Sequence, residues 1–212
     1  FAIRGNFEKR FLELPHELLI TTMKHHQKYF PLEDKNGGLL PYFITISNVQ
    51  PGPGAEILRG NERVLRARLE DARFFFDEDR KRKLEDFVEL LKDVTFQKAL
   101  GTSYEKVNRS VSLAEFLAAE VCPEKIKQAS RAAWLCKADL VTQMVYEFPE
   151  LQGIIGGYYA DHSGEDPEVG LAIKEHYRPA FSGDSPPSNP VGSIVSIADK
   201  LDTILGCIGV GL

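Results

Sequence analysis

Residues 59–79, RGNERVLRARLEDARFFFDED, are the stretch that decides the architecture of this chain. The apolar residues in and just before it recur at intervals of seven, four, three and four, and they are Leu58, Leu65, Leu69, Ala72 and Phe76. Because an α-helix turns by about 100° per residue, that spacing places them along one side of a helix. The stretch therefore predicts a long helix with a single apolar stripe that faces a core.

Four arginines of the same stretch fall together on a different, solvent-facing side of the predicted helix. This arginine face consists of Arg59, Arg63, Arg66 and Arg73. Planar guanidinium groups match the oxygens of phosphate, so the arrangement favours contact with a nucleic acid. Acidic residues close by support a second interpretation, in which the face is solvated and carries local ion pairs; these are Glu62, Glu70 and Asp71. The spacing alone leaves both interpretations open.

The composition is that of an ordinary globular protein, but its charge is unevenly distributed. The chain has 212 residues, of which 43% are hydrophobic and 27% charged, and its net charge is −5. Residues 59–83 nevertheless hold nine Lys and Arg against six Asp and Glu. A basic patch on an acidic body favours directional docking of a polyanion over non-specific coating of a nucleic acid.

The cysteines give no sign of a disulfide framework or of a metal site. The three of them, Cys122, Cys136 and Cys207, are an odd number and show no C-x-x-C spacing. The sequence also shows no signal peptide and no apolar run long enough to span a bilayer. We therefore expect a cytoplasmic protein with reduced cysteines and no membrane partner.

The first part of the chain carries the signals of a small sheet. Residues 39–47 are rich in β-branched and aromatic residues, and the Asn36-Gly-Gly turn before them predicts a hairpin with a strand near Tyr29–Leu32. A loop is expected at 50–54, just before the long helix. Residues 1–110 are therefore predicted to form a mixed α/β module with a small sheet and a long charged helix.

The remainder of the chain is predicted to be helical throughout. A capping box at Ser112-Leu-Ala-Glu115 predicts one helix start. Asn189-Pro190 predicts the start of a last helix over 191–206. Residues 111–212 are therefore predicted to form an all-α domain, and the whole chain belongs to the α+β class.

The last predicted helix carries two carboxylates, Asp199 and Asp202, on one face of an otherwise apolar segment. Buried acids need a counterion or a metal. The helical pattern ending in Ala-Asp-Lys-Leu resembles the HD-type metal-dependent phosphohydrolase domain. That resemblance implies a His, a His-Asp doublet and a final Asp as metal ligands, and Asp199 matches the final Asp. Together with His176, the two acids are the candidates for a relict metal site.

The His-Asp doublet of that family is absent from this sequence. The five histidines are followed by Glu, His, Gln, Ser and Tyr. Too few ligands remain to hold a metal that activates water, so no working metal site is predicted. A phosphohydrolase with a non-standard site remains as the alternative function. The two acids are instead expected to cap or to pair with a nearby cation, namely Lys200, Lys137 or Arg131.

A second group of cations lies in the segment Lys24-His-His-Gln-Lys-Tyr-Phe30. Cations interleaved with aromatic rings suit phosphate contact and base stacking, so Lys24, His25 and Lys28 are further candidates for RNA binding. The alternative is a surface turn whose Tyr29 and Phe30 enter the core.

Several strings, taken in order, resemble the beta subunit of bacterial glycyl-tRNA synthetase. They are FLELP at 11–15, MKHHQKYFP at 23–31, GNERV at 60–64, RLEDARFF at 68–75, KADLVTQMVYEF at 137–148 and ADKLDT at 198–203. The resemblance is collinear and covers essentially the whole chain. It implies a central fragment of that subunit, in which the HD-like domain is generally degenerate, in agreement with the missing doublet.

The resemblance also implies partners and a division of labour. The family's enzyme contains two α and two β subunits, and the alpha subunit carries the class II active site that joins glycine, ATP and the tRNA 3′ end. The beta subunit supplies recognition of tRNA(Gly) and is needed for aminoacylation. This fragment is therefore expected to contain no catalytic residue and to bind no cofactor, while ATP and Mg²⁺ are substrates of the whole enzyme.

Overall fold

The computed structural model describes residues 1–48 and 56–211, and the loop predicted at 50–54 lies outside these ranges. The chain divides into two compact units, Phe1–Glu78 and Asp79–Leu212. Among the helices that the structure describes, none has the length and apolar character needed to cross a bilayer.

The first unit contains a three-stranded antiparallel sheet in the order β1-β3-β2. Its strands are β1 (Ala2–Asn6), β2 (Phe30–Glu33) and β3 (Leu39–Ile46). The turn between β2 and β3 is held by the Asp34 carboxylate, which accepts hydrogen bonds from the backbone N–H groups of Asn36 at 2.8 Å and Gly38 at 2.9 Å. Gly37 adopts a φ of +82° there, a conformation that glycine tolerates best. The predicted hairpin is confirmed.

One side of this sheet forms part of the core of the first unit. Phe43 is fully buried and stacks on the Tyr29 ring, with 4.7 Å between ring centroids. A side chain at Gly5 would come within 2.3 Å of the Phe43 ring, so β1 can pass this close only as glycine. The Tyr29 hydroxyl donates to the Asn61 side chain at 3.0 Å, which ties the sheet to the long helix.

Four helical segments complete the first unit. They are a 3₁₀ turn at Lys9–Glu13, helix α1 (His16–Thr21), a π-helical turn at Thr22–His26 and helix α2 (Glu56–Asp79). The apolar stripe predicted for α2 is confirmed, because Leu65, Leu69 and Ala72 are fully buried. Helix α2 ends at Asp79, and the segment Leu84–Asp93 forms a separate 3₁₀ helix instead of continuing it.

The second unit is built from helices, with one small hairpin before them. The hairpin pairs β4 (Thr95–Gln97) with β5 (Gly101–Thr102). The helices are α3 (Ser103–Val121), α4 (Ile126–Leu135), α5 (Gln143–Glu147), α6 (Ile154–Ser163), α7 (Pro167–Glu175) and α8 (Pro190–Gly209). Short 3₁₀ turns at Pro123–Lys125, Ala138–Val141 and Pro149–Leu151 connect them. The predicted α+β class is confirmed.

Two helix starts test the capping signals in the sequence. The Asn189 side chain accepts a hydrogen bond from the Gly192 N–H at 2.6 Å, and Pro190 opens α8, as predicted. The capping box at Ser112 is wrong, because the start of α3 is capped by Thr102 together with Glu105. The Ser112 hydroxyl instead donates to the Asn108 carbonyl at 3.3 Å, one turn earlier in the same helix.

The compact units divide at a different place from the boundary predicted between residues 110 and 111. Residues 110 and 111 both lie inside α3, and the units divide between Glu78 and Asp79. The segment before α3 belongs with the helices because its apolar residues, which include Leu84, Phe87, Val88 and Leu91, are buried in the second unit. Helical periodicity marks where the helices begin, but it does not show which core the preceding segment joins.

Asp79 anchors the beginning of the second unit. Its buried carboxylate accepts hydrogen bonds from the backbone N–H groups of Gln143 at 3.1 Å and Met144 at 2.9 Å, at the start of α5. The Tyr159 hydroxyl donates to the same carboxylate at 3.0 Å. Three donors therefore depend on one acid, which also places a negative charge at a helix N-terminus.

Replacing this acid should destabilise the second unit. Asp79→Ala leaves three donors, two of them buried, without an acceptor, and we expect the free energy of unfolding to fall by about 3 kcal/mol. Urea denaturation followed by circular dichroism measures this change. Asp77→Ala is the matched control, because the Asp77 side chain is 54% exposed and pairs with Arg73 on the surface. Its effect should stay within about 0.5 kcal/mol, and equal effects of the two substitutions would contradict the anchor.

Candidate functional site

The arginine face of α2 is lined with ion pairs from a neighbouring segment. Arg66 Nε lies 3.0 Å from the Glu8 carboxylate, and an Arg73 nitrogen lies 3.1 Å from that of Glu13. Arg10, which lies between those two acids in the sequence, pairs with Glu70 of α2. Arg66 and Arg73 therefore take acidic partners from outside α2, and Arg73 also lies 3.7 Å from Asp77 in the same helix.

Most of the arginine face is exposed to solvent. Arg59, Arg63 and Arg66 are exposed, and Arg73 is partly buried. Among the residues that the structure describes, Arg63 forms no ion pair with a carboxylate. The face therefore combines arginines that are already paired with at least one whose guanidinium is available to a phosphate.

The second group of RNA-binding candidates lies at the entry to β2. Lys24 and His25 belong to the π-helical turn, and all three of Lys24, His25 and Lys28 are exposed. Lys28 has a φ of +57°, which turns the chain sharply into the strand. Of the two aromatic residues that follow, Tyr29 enters the core as the alternative interpretation expected, but Phe30 is 55% exposed.

A cluster of buried charges lies in the second unit, around Lys137. The Lys137 ammonium group lies 2.9 Å from His176 Nε2 and 3.0 Å from Asp199 Oδ2, and all three side chains are buried. Lys106 contributes a second ammonium group, 2.9 Å from Asp199 Oδ1 and 3.2 Å from Asp202 Oδ2. The structure thus brings His176 and Asp199 together, with a lysine between them.

Asp202 has a further partner that the sequence did not suggest. Arg109 of α3 reaches it with Nε at 2.6 Å and a second nitrogen at 3.2 Å, a two-pronged contact that suits a guanidinium. Of the three cations expected near these acids, Lys137 is confirmed as the partner of Asp199. The other two alternatives are engaged elsewhere: Arg131 pairs with Glu85 and Glu165, and Lys200 donates to backbone carbonyls.

Hydrogen bonding fixes the protonation state of His176. Its Nδ1 lies 2.7 Å from the Ile173 carbonyl, which can only accept, so Nδ1 carries the proton. The lone pair on Nε2 therefore points at the Lys137 ammonium group. Burial, and then the charge of Lys137, lower the pKa of His176 to about 3, so the ring is neutral at physiological pH.

The paired groups stay charged although they are buried. Burial alone would favour neutral Lys137, but Tyr177 and Asp199 outweigh it and raise the pKa of the lysine above its ordinary value. Burial likewise favours protonated Asp199, but Lys137 and Lys106 hold the pKa of that carboxyl below its usual range. The Lys137 ammonium also lies 3.8 Å from the centroid of the Tyr177 ring, a further favourable contact for a cation.

This arrangement does not suit a divalent metal. The imidazole lone pair of His176 and the carboxylate of Asp199 both point at an ammonium group, which already supplies the positive charge. In the described ranges, no three side chains of His, Cys, Asp or Glu converge in a way that could hold a metal ion. The residues present therefore give the phosphohydrolase alternative no support.

A small cavity of about 210 Å³ adjoins the cluster, and its polar walls are formed by Lys106, Lys137, Ser103, Asp199 and Thr203. Its lysines have little hydrogen-bonding capacity left for a ligand. Lys106 donates to the Asp199 carbonyl at 3.0 Å, to Asp202 at 3.2 Å and to Thr203 at 2.9 Å, which uses all three ammonium hydrogens. The lysines of the cluster therefore donate to partners within it, while Asp199 Oδ1 pairs with Lys106 by charge and accepts no hydrogen bond among the described residues.

Asp139, a fully buried acid of the 3₁₀ turn Ala138–Val141, places its carboxylate at the start of α6. Its Oδ2 accepts hydrogen bonds from the backbone N–H groups of Gly153 at 2.5 Å and Gly156 at 3.0 Å. Burial nevertheless dominates and raises the pKa of Asp139 to about 6. The second oxygen, Oδ1, is buried without a hydrogen-bond partner among the described residues, which adds to the cost of the ionised form.

Removing the central ammonium group should destabilise the second unit strongly. Lys137→Met keeps the length of the side chain but leaves Asp199 with one cation fewer, so we expect the free energy of unfolding to fall by about 3 kcal/mol or more. Chemical denaturation measures it. Lys127→Met, on the exposed side of α4, is the matched control and should change stability by less than about 0.5 kcal/mol.

A double variant separates pairing from packing. In Lys137→Met/Asp199→Asn both charges are removed, and the loss should be smaller than the sum of the two single losses. Additive losses would mean that the two side chains contribute independently and would refute the interaction.

Asp139 should make stability depend on pH. Its pKa is raised to about 6 in the folded protein, against about 3.9 in the unfolded chain. Its stabilising contribution is therefore complete below about pH 4 and is lost as the pH rises through 6. Asp139→Asn removes this dependence. From pH 5 to pH 7.5, the free energy of unfolding of the variant minus that of the parent should therefore rise by about 1 to 2 kcal/mol.

This experiment is a comparison of variant with parent at each pH. His176 acts in the opposite direction, because its lowered pKa gives a contribution that is present above about pH 6.5 and is lost as the pH falls. Subtracting the parent removes the effect of His176. A stability difference that stays constant over this range would show that Asp139 does not take up a proton there.

Comparison with known proteins assigns a family to this chain. The family model for the glycyl-tRNA synthetase beta subunit matches residues 1–212, the whole chain. The glycine–tRNA ligase beta subunit of Trichlorobacter lovleyi is 58% identical over 211 residues, and that of Geotalea uraniireducens is 57% identical over the same length. The protein of the same name from Geobacter sulfurreducens is 56% identical.

Each of these alignments covers 100% of this chain and 31% of the relative. The chain thus spans less than a third of the length of the curated relatives that it matches. Identity at this level over 211 residues, together with a family model that matches from end to end, shows the family. The chain belongs to the glycyl-tRNA synthetase beta subunit family.

Proposed function

We propose that this chain is the portion of a glycine–tRNA ligase beta subunit that supports tRNA binding and assembly of the enzyme. Its partners are tRNA(Gly) and the alpha subunit, in an assembly of two α and two β chains. The alpha subunit carries the site at which glycine, ATP and Mg²⁺ react, and this portion of the beta subunit contributes no catalytic residue. The end-to-end match to the family is the observation that carries the proposal.

The charge cluster of the second unit supports a non-catalytic role. Its lysines, acids and imidazole satisfy one another, with buried ammonium groups at 2.9–3.2 Å from their acceptors. Groups that act on a substrate need a free acceptor or donor at the point of reaction. The relict candidates His176, Asp199 and Asp202 are occupied in this way, so their role is to hold helices together.

The arginine face is the surface that we assign to tRNA. Phosphate contacts from arginine position a nucleic acid without reading its sequence, and they lose strength as salt rises. Arg63 is the best-placed member, because it is exposed and forms no ion pair with a described carboxylate. Arg66 and Arg73 contribute as well, but a phosphate there competes with Glu8 and Glu13.

Reversing the charge of Arg63 tests this assignment. In the assembled enzyme, Arg63→Glu should lower tRNA affinity roughly tenfold, and it should reduce the slope of log affinity against log salt concentration by about 1. The new acid can pair with Arg59 or Arg66 one turn away, so the helix should stay folded. Filter binding across a salt series, with the aminoacylation rate alongside, provides both values.

Arg68→Glu is the matched control for this substitution. Arg68 is exposed on the same helix but lies about 180° around it from Arg59. The control makes the same change in net charge, so it should leave both the affinity and the salt slope nearly unchanged. Equal losses from the two substitutions would mean that only the net charge matters, and the arginine face would lose its assignment.

A further inference from the structure

The outer side of the three-stranded sheet is apolar and aromatic, and it is open to solvent. Alternate residues of β3 point away from the core, so Tyr42, Ile44 and Ile46 share one side with Arg4 of β1 and Phe30 of β2. Phe30 is 55% exposed, Ile46 58% and Tyr42 38%. We call these five residues the sheet platform. Exposed apolar patches of this kind mark binding surfaces.

Strand pairing sets the spacing of the aromatic rings. Phe30 is paired with Ile44, and Tyr42 lies two residues from Ile44 on the same side of β3. Residues related diagonally in this way are about 7–8 Å apart, a separation that two successive unstacked nucleotides can span. Two rings held by strands are rigid, so no ordering of long side chains is needed before a base stacks on them.

Positive charge lies on and beside the sheet platform. The Arg4 guanidinium group is 5.3 Å from the centroid of the Tyr42 ring, so a cation and an aromatic face are presented together. Lys28 is exposed and lies just before Tyr29 and Phe30, at the entry to β2. Two of the nearby acids, Glu33 and Asp34, lie at the opposite end of β2, towards the turn to β3. A third, Glu62, accepts hydrogen bonds from Asn6, which is paired with Tyr42. The charge therefore favours a polyanion at the Phe30 end.

We propose that the sheet platform binds unpaired nucleotides of RNA, with bases stacked on Phe30 and Tyr42 and phosphates held by Arg4 and Lys28. This site rests on the proposed function, because it assumes that the beta subunit binds tRNA, but it is separate from the arginine face. Base stacking on aromatic side chains tolerates any base, so the platform contributes affinity for single-stranded or looped RNA more than sequence specificity. A protein partner would need the apolar area but not the rings themselves.

Leucine substitutions separate these two kinds of partner. Phe30→Leu/Tyr42→Leu keeps the surface apolar but removes both rings. In the assembled ligase, this variant should bind tRNA about 10- to 100-fold more weakly. The salt slope should stay that of the parent, because no phosphate contact is lost. Phe30→Tyr/Tyr42→Phe keeps both rings and should restore parental affinity. Phe116→Leu, at a 63% exposed position in the second unit, is the matched control and should have no effect.

Each outcome decides for or against the sheet platform. The proposal is overturned if the double leucine variant binds tRNA with parental affinity. It is also overturned if the ring-preserving variant loses as much affinity as the double leucine variant. A variant that binds tRNA normally but fails to assemble with the alpha subunit would show that the platform contacts protein. The proposed function has a separate test, because it is wrong if the parent ligase binds tRNA no more tightly than the alpha subunit alone.

Discussion

The second unit depends on a buried ammonium group that is held between a carboxylate and an imidazole. Lys137 satisfies Asp199 and the lone pair of His176 at once, and Lys106 extends the network to Asp202. Unpaired, any of these groups would be expensive to bury. The network fixes how the helices around it pack against one another, because α3 supplies Lys106 and Arg109 and α8 supplies Asp199 and Asp202. Lys137 follows α4, and His176 follows α7.

In this network the two acids of the last helix are paired with cations. A metal site needs ligands that share a free position, whereas here the position between the ligands holds a lysine side chain. The lysine supplies positive charge as a metal ion does, but it has no open coordination position at which water is activated. The first unit, in contrast, presents arginines and aromatic rings to solvent, among them Arg63 and Phe30.

Features that depend on neighbours in sequence could be predicted, and features that depend on distant pairing could not. The stripe of α2 and the Asn189 cap follow from spacing within a few residues, and both are present. Lys106 and Arg109 meet Asp202 across 96 and 93 residues, and nothing in a single sequence links such partners. The capping box at Ser112 is an exception among the local features, because Thr102 and Glu105 offer the same motif ten residues earlier and the helix begins there.

The pairing of Arg66 with Glu8 and of Arg73 with Glu13 has a consequence for kinetics. An RNA phosphate that reaches either arginine must displace a carboxylate already in place, and that carboxylate stays nearby to return. Such exchange lowers the barrier to dissociation, because each contact can be broken without exposing a bare guanidinium. Arginines with a resident competitor therefore favour rapid exchange of a bound phosphate over tight retention.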